Sequence, residues 1–448
     1  MKAGARGAAA KLAGRLAQAS GRGGGTSLPG KLLLRMDGRA IARLSRGLER
    51  SAVISATNGK TTTAAMASAI LERGGARLVH NRAGANMAGG IASTLLYGEG
   101  DTGLFEVDEF WLDAIAEQLR PDALLLANLF RDQLDRYGEL ETIADRWATV
   151  AASGHARTLV LNADDPLVAD LARGARSDVV LFGVDDPSLA LGDLQHASDS
   201  THCRVCGAPY TYDLVLLGHL GHYHCPNCDA RRPEPQVVAT AITLDGIRGA
   251  RVSLRTPQGD ADVRLPLPGL YNVYNALGAA ALGLALGASL ADVVAGLEGV
   301  SPAFGRAETV TIDGHELSIL LVKNPAGANE VLRTLTLEDG EHDLLAILND
   351  NIADGRDISW IWDADFELLA PRLRRAVCAG TRAPELALRL KYAGVPVERL
   401  EVEPRLAAAL DLAVTGAPGR LFALPTYTAM LALREELVAR GVAGSSFG

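Results

Sequence analysis

Residues 57 to 63 read Thr-Asn-Gly-Lys-Thr-Thr-Thr and follow the apolar run Ser51-Ala52-Val53-Ile54-Ser55-Ala56. A buried strand that runs through a Gly-Lys-Thr turn into a helix is built to hold phosphate. Gly59 lets backbone N–H groups close on phosphate oxygens, and Lys60 reaches the β and γ oxygens as a point charge. The Thr61 hydroxyl is placed to hold Mg²⁺, and the new helix aims its positive end at the anion. The full Walker spacing has a glycine five residues before Gly59. Ile54 stands there, so the loop is a shortened form. The plain alternative is a Gly-Lys turn before a Thr-rich helix start. Strand, turn and helix in the required order favour a nucleoside triphosphate site.

A second constellation carries metal chemistry. Cys203-x-x-Cys206 and Cys225-x-x-Cys228 are separated by 18 residues, the spacing of two zinc knuckles. Gly207 and Pro226-Asn227 supply the tight turns that let each pair bite one ion. Four thiolates close the Zn²⁺ shell and leave no position for substrate, so the expected site is structural. The alternative, two disulfides, lacks any sign of secretion. His202, His219, His222 and His224 crowd the same segment, but four thiols already complete the set. Cys378 stands alone and reads as a core residue.

The elements that position these groups follow from pattern. Leu104-Phe105-Glu106-Val107, Ala123–Asn128, Thr158–Asn162 and Val179–Gly183 are short apolar strands alternating with helical stretches. This implies an α/β fold with a parallel sheet covered on both faces. Ligand groups then belong at the carboxyl ends of the strands, where Thr57–Thr63, Glu106 and Asn128–Asp135 fall. The cysteine segment interrupts the pattern between about residues 196 and 235. Alternating strands at Val237–Leu244, Ala250–Leu254 and Ala261–Leu265 suggest a hairpin-rich stretch before a helix from Asn272 to Gly287. A boundary at Ser301-Pro302-Ala303 precedes a new strand set at Leu317–Val322, Asp343–Leu348, Ala376–Ala379 and Arg420–Ala423.

Composition fits this reading: 448 residues, 48% hydrophobic and 22% charged. The net charge of −9 is uneven, because residues 1–50 carry 11 Lys/Arg against Asp37 and Glu49. The acidic remainder argues against nucleic-acid binding. The basic start reads as a transit peptide, a contact for anionic lipid or a plain surface helix. No apolar stretch is long enough to span a bilayer.

Together these pieces resemble the Mur ligase family of ATP-dependent amide-forming enzymes. The resemblance rests on Thr57–Thr63, Glu106, the segment Asn128-Leu129-Phe130-Arg131-Asp132-Gln133-Leu134-Asp135-Arg136-Tyr137-Gly138, and Asn162-Ala163-Asp164-Asp165-Pro166. It continues through Gly269–Ala276 and Phe304-Gly305-Arg306-Ala307-Glu308. It implies a basic leader (1–50), a central ATPase domain (51–301) with an inserted four-cysteine zinc ribbon (196–235), and a smaller Rossmann-like α/β domain (302–448). It assigns Thr57, Asn58, Gly59, Lys60, Thr61 and Thr62 to ATP phosphates, and Thr61 with Glu106 to Mg²⁺. Asn272 and Asn275 go to adenine, and Arg306 at the domain junction to nucleotide.

The departures narrow the choice. Only about 50 residues precede the ATP loop, too few for a UDP-binding domain. Gln133 replaces the family histidine, and no lysine lies between Lys60 and Lys323, which removes the carbamoylated lysine. Ala353–Asp363 and Pro425–Met430 are similar to the branch that amidates lipid II. The resemblance implies a cytoplasmic enzyme at the membrane's inner face, with a GatD-type glutaminase partner supplying ammonia. The loop Asp354-Gly355-Arg356-Asp357 follows an apolar strand and is expected to be exposed. Asp354 first, Asp357 second, is expected to complete the partner's Cys-His pair. The plain alternative is an Asp-Gly turn. Two other readings share the ATP loop: a folylpolyglutamate synthase-like ligase, and a non-catalytic scaffold gated by nucleotide.

Overall fold

The computed structural model describes residues 7, 10–11, 27–81, 85–132, 140–195, 198–300, 306–416 and 420–442, the side chains of 306 and 307 excepted. The strands of the first half are β1 (Arg50–Ser55), β2 (Leu78–His80), β3 (Thr102–Glu106), β4 (Ala123–Leu126), β5 (Thr158–Asn162) and β6 (Asp178–Val184). Then come β7 (Thr211–Leu217), β8 (Leu220–His224), β9 (Val237–Leu244), β10 (Ala250–Thr256) and β11 (Gly259–Leu265). Nine of them form one sheet in the order β11-β10-β9-β6-β5-β4-β1-β3-β2. From β2 to β9 every pairing is parallel, whereas β10 pairs antiparallel with both β9 and β11. The hairpin-rich stretch is therefore an antiparallel extension of the main sheet.

Strand alternation divides the core. Ala52, Ile54, Leu125 and Val160 face one side, where α3 (Lys60–Arg73), α8 (Leu270–Ala285) and α9 (Leu290–Glu298) pack. Val53, Leu124, Leu126, Leu159 and Leu161 face the other. That second face is covered by α1 (Leu28–Met36), α2 (Ala40–Ser45), α4 (Ala88–Tyr97), α5 (Leu112–Leu119), α6 (Leu140–Ser153) and the short α7 (Pro166–Ala169), with Trp147 fully buried. Strands buried on both faces read as continuous apolar runs for this reason.

The basic start is not the separate leader expected from sequence. Leu33, Ala40, Ile41 and Leu44 belong to the second core cluster, and the Gly30 N–H donates to Ser93 Oγ of α4 at 2.8 Å. Residues 28–45 are thus part of the sheet domain. Their basic residues lie on the helix faces that solvent wets, while the apolar stripe seals the sheet.

The second domain is a six-stranded sheet ordered β12-β13-β17-β14-β15-β16. Its strands are β12 (Arg306–Ile312), β13 (His315–Leu320), β14 (His342–Ile347), β15 (Leu373–Ala379), β16 (Leu400–Val402) and β17 (Leu421–Pro425), all parallel except the β12–β13 hairpin. Helices α10 (Pro325–Thr336) and α11 (Ala383–Tyr392) cover one face, and α12 (Leu406–Gly416) and α13 (Tyr427–Ala439) the other. Among the described residues no helix is long and apolar enough to cross a membrane. The boundary residues 301–305 and the expected site residue Gln133 lie outside the described residues.

Candidate active site

The phosphate loop is held by its neighbours before any ligand arrives. Thr57 N–H donates to the Asn128 carbonyl at 3.1 Å, and Phe130 N–H donates to Thr57 Oγ1 at 3.1 Å. The Asn128 side chain satisfies both backbone groups of Asn58, accepting at 2.9 Å and donating at 3.0 Å. Gly59 turns the chain into α3 with φ +84°, a conformation that suits glycine. A Cβ there would lie 2.0 Å from Asn275 Oδ1, so close approach of α8 imposes the same choice.

Lys60 and Thr61 then point at carboxylates. Thr61 Oγ1 donates to Glu106 Oε2 at 2.9 Å, which brings together the two expected Mg²⁺ ligands. Glu106 is buried, and its backbone exchanges hydrogen bonds with the buried Asn81 side chain at 2.8 and 2.9 Å. Lys60 Nζ donates to the Ala56 carbonyl and, at 2.9 Å, to Glu109 Oε1. Sequence reasoning missed Glu109 and Asn81. The acidic cluster Glu106-Val107-Asp108-Glu109 after an apolar strand was the available signal for the first.

Two clefts share Lys323, and the larger reaches this loop. The larger, with about 970 Å³ of empty space, is lined by Asn58, Gly59 and Thr62 at the phosphate end. Asn272, Asn275, Tyr271 and Tyr274 of α8 line its flank, and Leu320, Lys323 and Val331 of the second domain close it. Both expected adenine residues are in the cleft but internally engaged. Asn272 Nδ2 donates to the Pro268 carbonyl at 2.8 Å, and Asn275 Nδ2 to Asn272 Oδ1 at 3.0 Å. The second cleft, about 490 Å³, is lined by Asp132, Lys323, Asn324, Asp354, Asp357 and Trp360, among others.

Lys323 lines both clefts. Its ammonium donates to the Thr57 carbonyl at 3.2 Å and to the Asp132 carboxylate. Beside it Asn324 makes a reciprocal amide pair with Asn58, at 2.9 and 3.3 Å. Neither residue was singled out from sequence as a site group. Arg306 starts β12, and its side chain lies outside the described residues.

The Asp354 loop is only partly as expected. Ile352, Arg356 and Asp357 are exposed, but Asp354 is buried. Its carboxylate accepts from both the N–H and the hydroxyl of Thr428, at the amino end of α13. Helix-end donors draw the carboxylate inward. Asp357 accepts from Ser359 N–H at 2.8 Å, and that bond holds its carboxyl below the usual range.

The four knuckle cysteines flank the β7–β8 hairpin and form no disulfide. Their sulfurs all lie within 4.8 Å of one another, with Cys203–Cys228 at 3.6 Å and Cys206–Cys225 at 3.4 Å. Four sulfurs about 2.3 Å from one zinc would be about 3.8 Å apart, so the cluster fits the ion with a small expansion. Burial opposes ionisation of Cys203, but the amides of Cys206 and Val205 bring its pKa down to about 7. None of the four nearby histidines joins the cluster. Cys378 is buried in β15, and burial pushes its thiol up to about 12.

Residues 54–228 match the Mur ligase middle domain, and residues 321–430 match the MurT ligase C-terminal domain. The chain is 34% identical over 430 residues to the MurT subunit of the glutamine-hydrolysing lipid II isoglutaminyl synthase of Streptococcus pneumoniae (strain ATCC BAA-255 / R6), covering 94% of each chain. The corresponding Staphylococcus aureus (strain N315) subunit is 32% identical, with 96% of each covered. The chain belongs to the MurT family of Mur ligases. Solved structures share the fold: a pseudomurein peptide ligase type C from Methanothermus fervidus has a TM-score of 0.68 at 22% identity, covering 89% of this chain and 81% of that one. A Mycobacterium tuberculosis folylpolyglutamate synthase complexed with ADP and AMPPCP has a TM-score of 0.60 at 16% identity, covering 91% and 96%. At that identity the likeness is one of fold alone. The full-length relatives favour the MurT branch over the folate reading.

Two outcomes are expected of this MurT-family site. Purified chain should hold one zinc by atomic absorption, and Cys206→Ser should release it; a metal-free wild type at full zinc saturation would refute the cluster. Glu330, on the wall of the larger cleft, has its pKa raised to about 7 by burial, with Arg333 opposing. The folded state therefore binds a proton that the unfolded chain, at the ordinary value of 4.5, has released. Stability contributed by this group is present below the unfolded value and is lost as pH rises toward 7. Urea midpoints should fall less between pH 5 and pH 8 in Glu330→Gln than in wild type; equal falls would contradict this.

Proposed function

We propose that this chain is the ATP-dependent synthetase subunit of a lipid II isoglutaminyl synthase. It converts the α-carboxylate of D-glutamate in the lipid II stem peptide to an amide, using ammonia from a GatD-type glutaminase partner. The observation that carries the reading is the junction of two clefts at one cation, Lys323, beside an intact ATP loop.

A carboxylate does not condense with ammonia at neutral pH, because its oxygen is a poor leaving group. In the proposed reaction a carboxylate oxygen attacks the γ-phosphorus of ATP, ADP leaves, and an acyl phosphate forms. Ammonia then attacks the acyl carbon, inorganic phosphate departs, and the nitrogen loses a proton. Lys60 meets the β and γ oxygens, and the backbone amide of Gly59 shares that charge. Thr61 and Glu106 would hold Mg²⁺, which spreads charge over the transferring phosphoryl. Asn272 and Asn275 face the adenosine end, and Arg306 is kept as a nucleotide contact. Lys323 stands where the larger cleft opens on the smaller, the position at which phosphoryl oxygen and acceptor carboxylate meet.

The chain offers no thiolate for hydrolysing glutamine. Four cysteines cluster around the zinc position and the fifth is buried with a raised pKa. A separate glutaminase supplies the ammonia, and the second cleft, rimmed by Asp354 and Asp357, is its port of entry. A triad aspartate is buried and oriented by hydrogen bonds, and Asp354 meets both conditions through Thr428. The competing role is capping of α13 alone.

With ATP and Mg²⁺, the chain should amidate lipid II from ammonium, and from glutamine only after the glutaminase is added. No ATP turnover with partner, acceptor and glutamine all present would leave the scaffold reading. Asp354→Asn in the complex should cut glutamine-driven amidation at least about 100-fold while sparing the ammonium-driven reaction. Loss with Asp357→Asn instead would move the role to the second aspartate; loss with neither would remove it from this loop. Lys323→Met should lower ammonium-driven kcat by about 10²–10³ with little change in ATP affinity. Unchanged kcat with weakened ATP binding would make Lys323 a plain nucleotide contact.

A further inference from the structure

The zinc-ribbon hairpin reaches the nucleotide cleft. Its base carries the four thiolates, and its tip, Leu217-Gly218-His219-Leu220, lies about 20 Å along the strands from them. Leu217 and Leu220 line the larger cleft and are 3% and 2% exposed. They pack in the same core cluster as Leu267, Leu270 and Tyr274.

The tip is fixed from several sides. Gly218, at φ +58°, donates its N–H to Gln195 Oε1 at 2.8 Å and accepts from Ser198 Oγ at 3.1 Å. Tyr212 Oη donates to the His219 carbonyl at 2.9 Å, and the His219 ring lies 4.7 Å from that of Phe130. From the second domain, Arg333 donates to the Leu216 carbonyl at 3.5 Å. At the ribbon's exit, Arg232 donates to Asp164 Oδ1 at 2.6 Å, and Asp164 Oδ2 accepts from Tyr274 Oη at 2.7 Å. Tyr274 is itself a cleft residue. A segment that only carried a metal would need none of these ties to the cleft.

We infer that the ribbon tip is the apolar wall of the base subsite, with Leu217 and Leu220 packing against the heteroaromatic ring of the nucleotide. This rests on the reading that the larger cleft takes ATP. The opposite end, at Gly59 and Lys60, takes phosphate and is untouched by the ribbon. Base affinity and phosphate affinity are therefore set by different parts of the chain, the first by an insertion that zinc closes at its base.

Calorimetry of the full chain with AMP-PNP and with inorganic tripolyphosphate separates the two. Leu217→Ala and Leu220→Ala should each weaken AMP-PNP about tenfold, roughly 1.4 kcal/mol, and leave tripolyphosphate unchanged. Zinc content should stay at one per chain, and Leu217→Met should restore most of the affinity. Wild-type AMP-PNP affinity in folded, zinc-loaded alanine variants would overturn the inference and leave the nucleotide reading standing. Failure of the wild type to bind AMP-PNP would instead sink that reading. Photolabelling of unaltered protein with 2-azido-ADP gives an answer that no folding defect affects: label in residues 205–231 is expected, and label confined to α8 would overturn the inference.

Discussion

The site depends on one exchange of side-chain amides. Asn128, just past the carboxyl end of β4, satisfies the N–H and C=O of Asn58, and Asn58 pairs its own side chain with Asn324 of the second domain. Asn324 also caps α10 by accepting from Gly327 N–H at 2.9 Å. Each neutral bond contributes only about 1 kcal/mol net, yet removing one partner strands the other in a buried position at about 1–3 kcal/mol. The phosphate loop, the sheet edge and the second domain are thereby fixed to one another. Lys323 is adjacent in sequence to the amide that makes the joint, so the cation is placed by the same bonds that place the loop.

Both lysines at the loop are balanced by carboxylates: Lys60 by Glu109 at 2.9 Å and Lys323 by Asp132. An uncompensated ammonium in a part-buried cleft is costly, so these pairs keep the unliganded site stable. They also weaken any incoming anion, because phosphate has to displace or share a carboxylate's partner. The compensation is positional. Each lysine already points along the loop when the phosphate arrives, and little side-chain entropy remains to be lost. Mg²⁺ held near Thr61 and Glu106 would add the positive charge that this balance withholds.

The loop, the cysteine cluster and most strands were legible in the sequence, because each rests on short-range rules: glycine at a tight turn, thiol spacing, apolar runs. The strands Thr158–Asn162 and Val237–Leu244 have the boundaries their apolar patterns suggest. What pattern could not supply was partnership across the chain. Residues 28–45 looked like a basic leader because charge is local, while their apolar stripe takes meaning only against the second face of the sheet. The same holds for β10 and β11, whose alternation announced a hairpin but not the edge it extends. Asn81, Asn128 and Asn324 are ordinary amides until the fold sets them against loop backbone. Asp354 looked exposed because its acidic loop follows an apolar strand, and only α13 explains its burial.

The ribbon shows how an insertion can be added to a finished sheet domain without loosening it. It is tied at three places by three kinds of force: a thiolate cluster fit for zinc at the base, apolar packing at the tip, and a buried ion pair at the exit. The last is the most demanding. Burial raises the pKa of Asp164, and Arg232 opposes the rise while Tyr274 donates to the remaining oxygen. Breaking such a buried pair costs about 3–5 kcal/mol, because the surviving charge is left without a partner. Since Arg232 also meets Asp185 at 2.9 Å, the guanidinium bridges one carboxylate just past β5 and one just past β6, and the chain resumes the sheet at β9 beside β6. The insertion thus leaves and rejoins the domain between neighbouring parallel strands, and the sheet register on either side need not change to accommodate it.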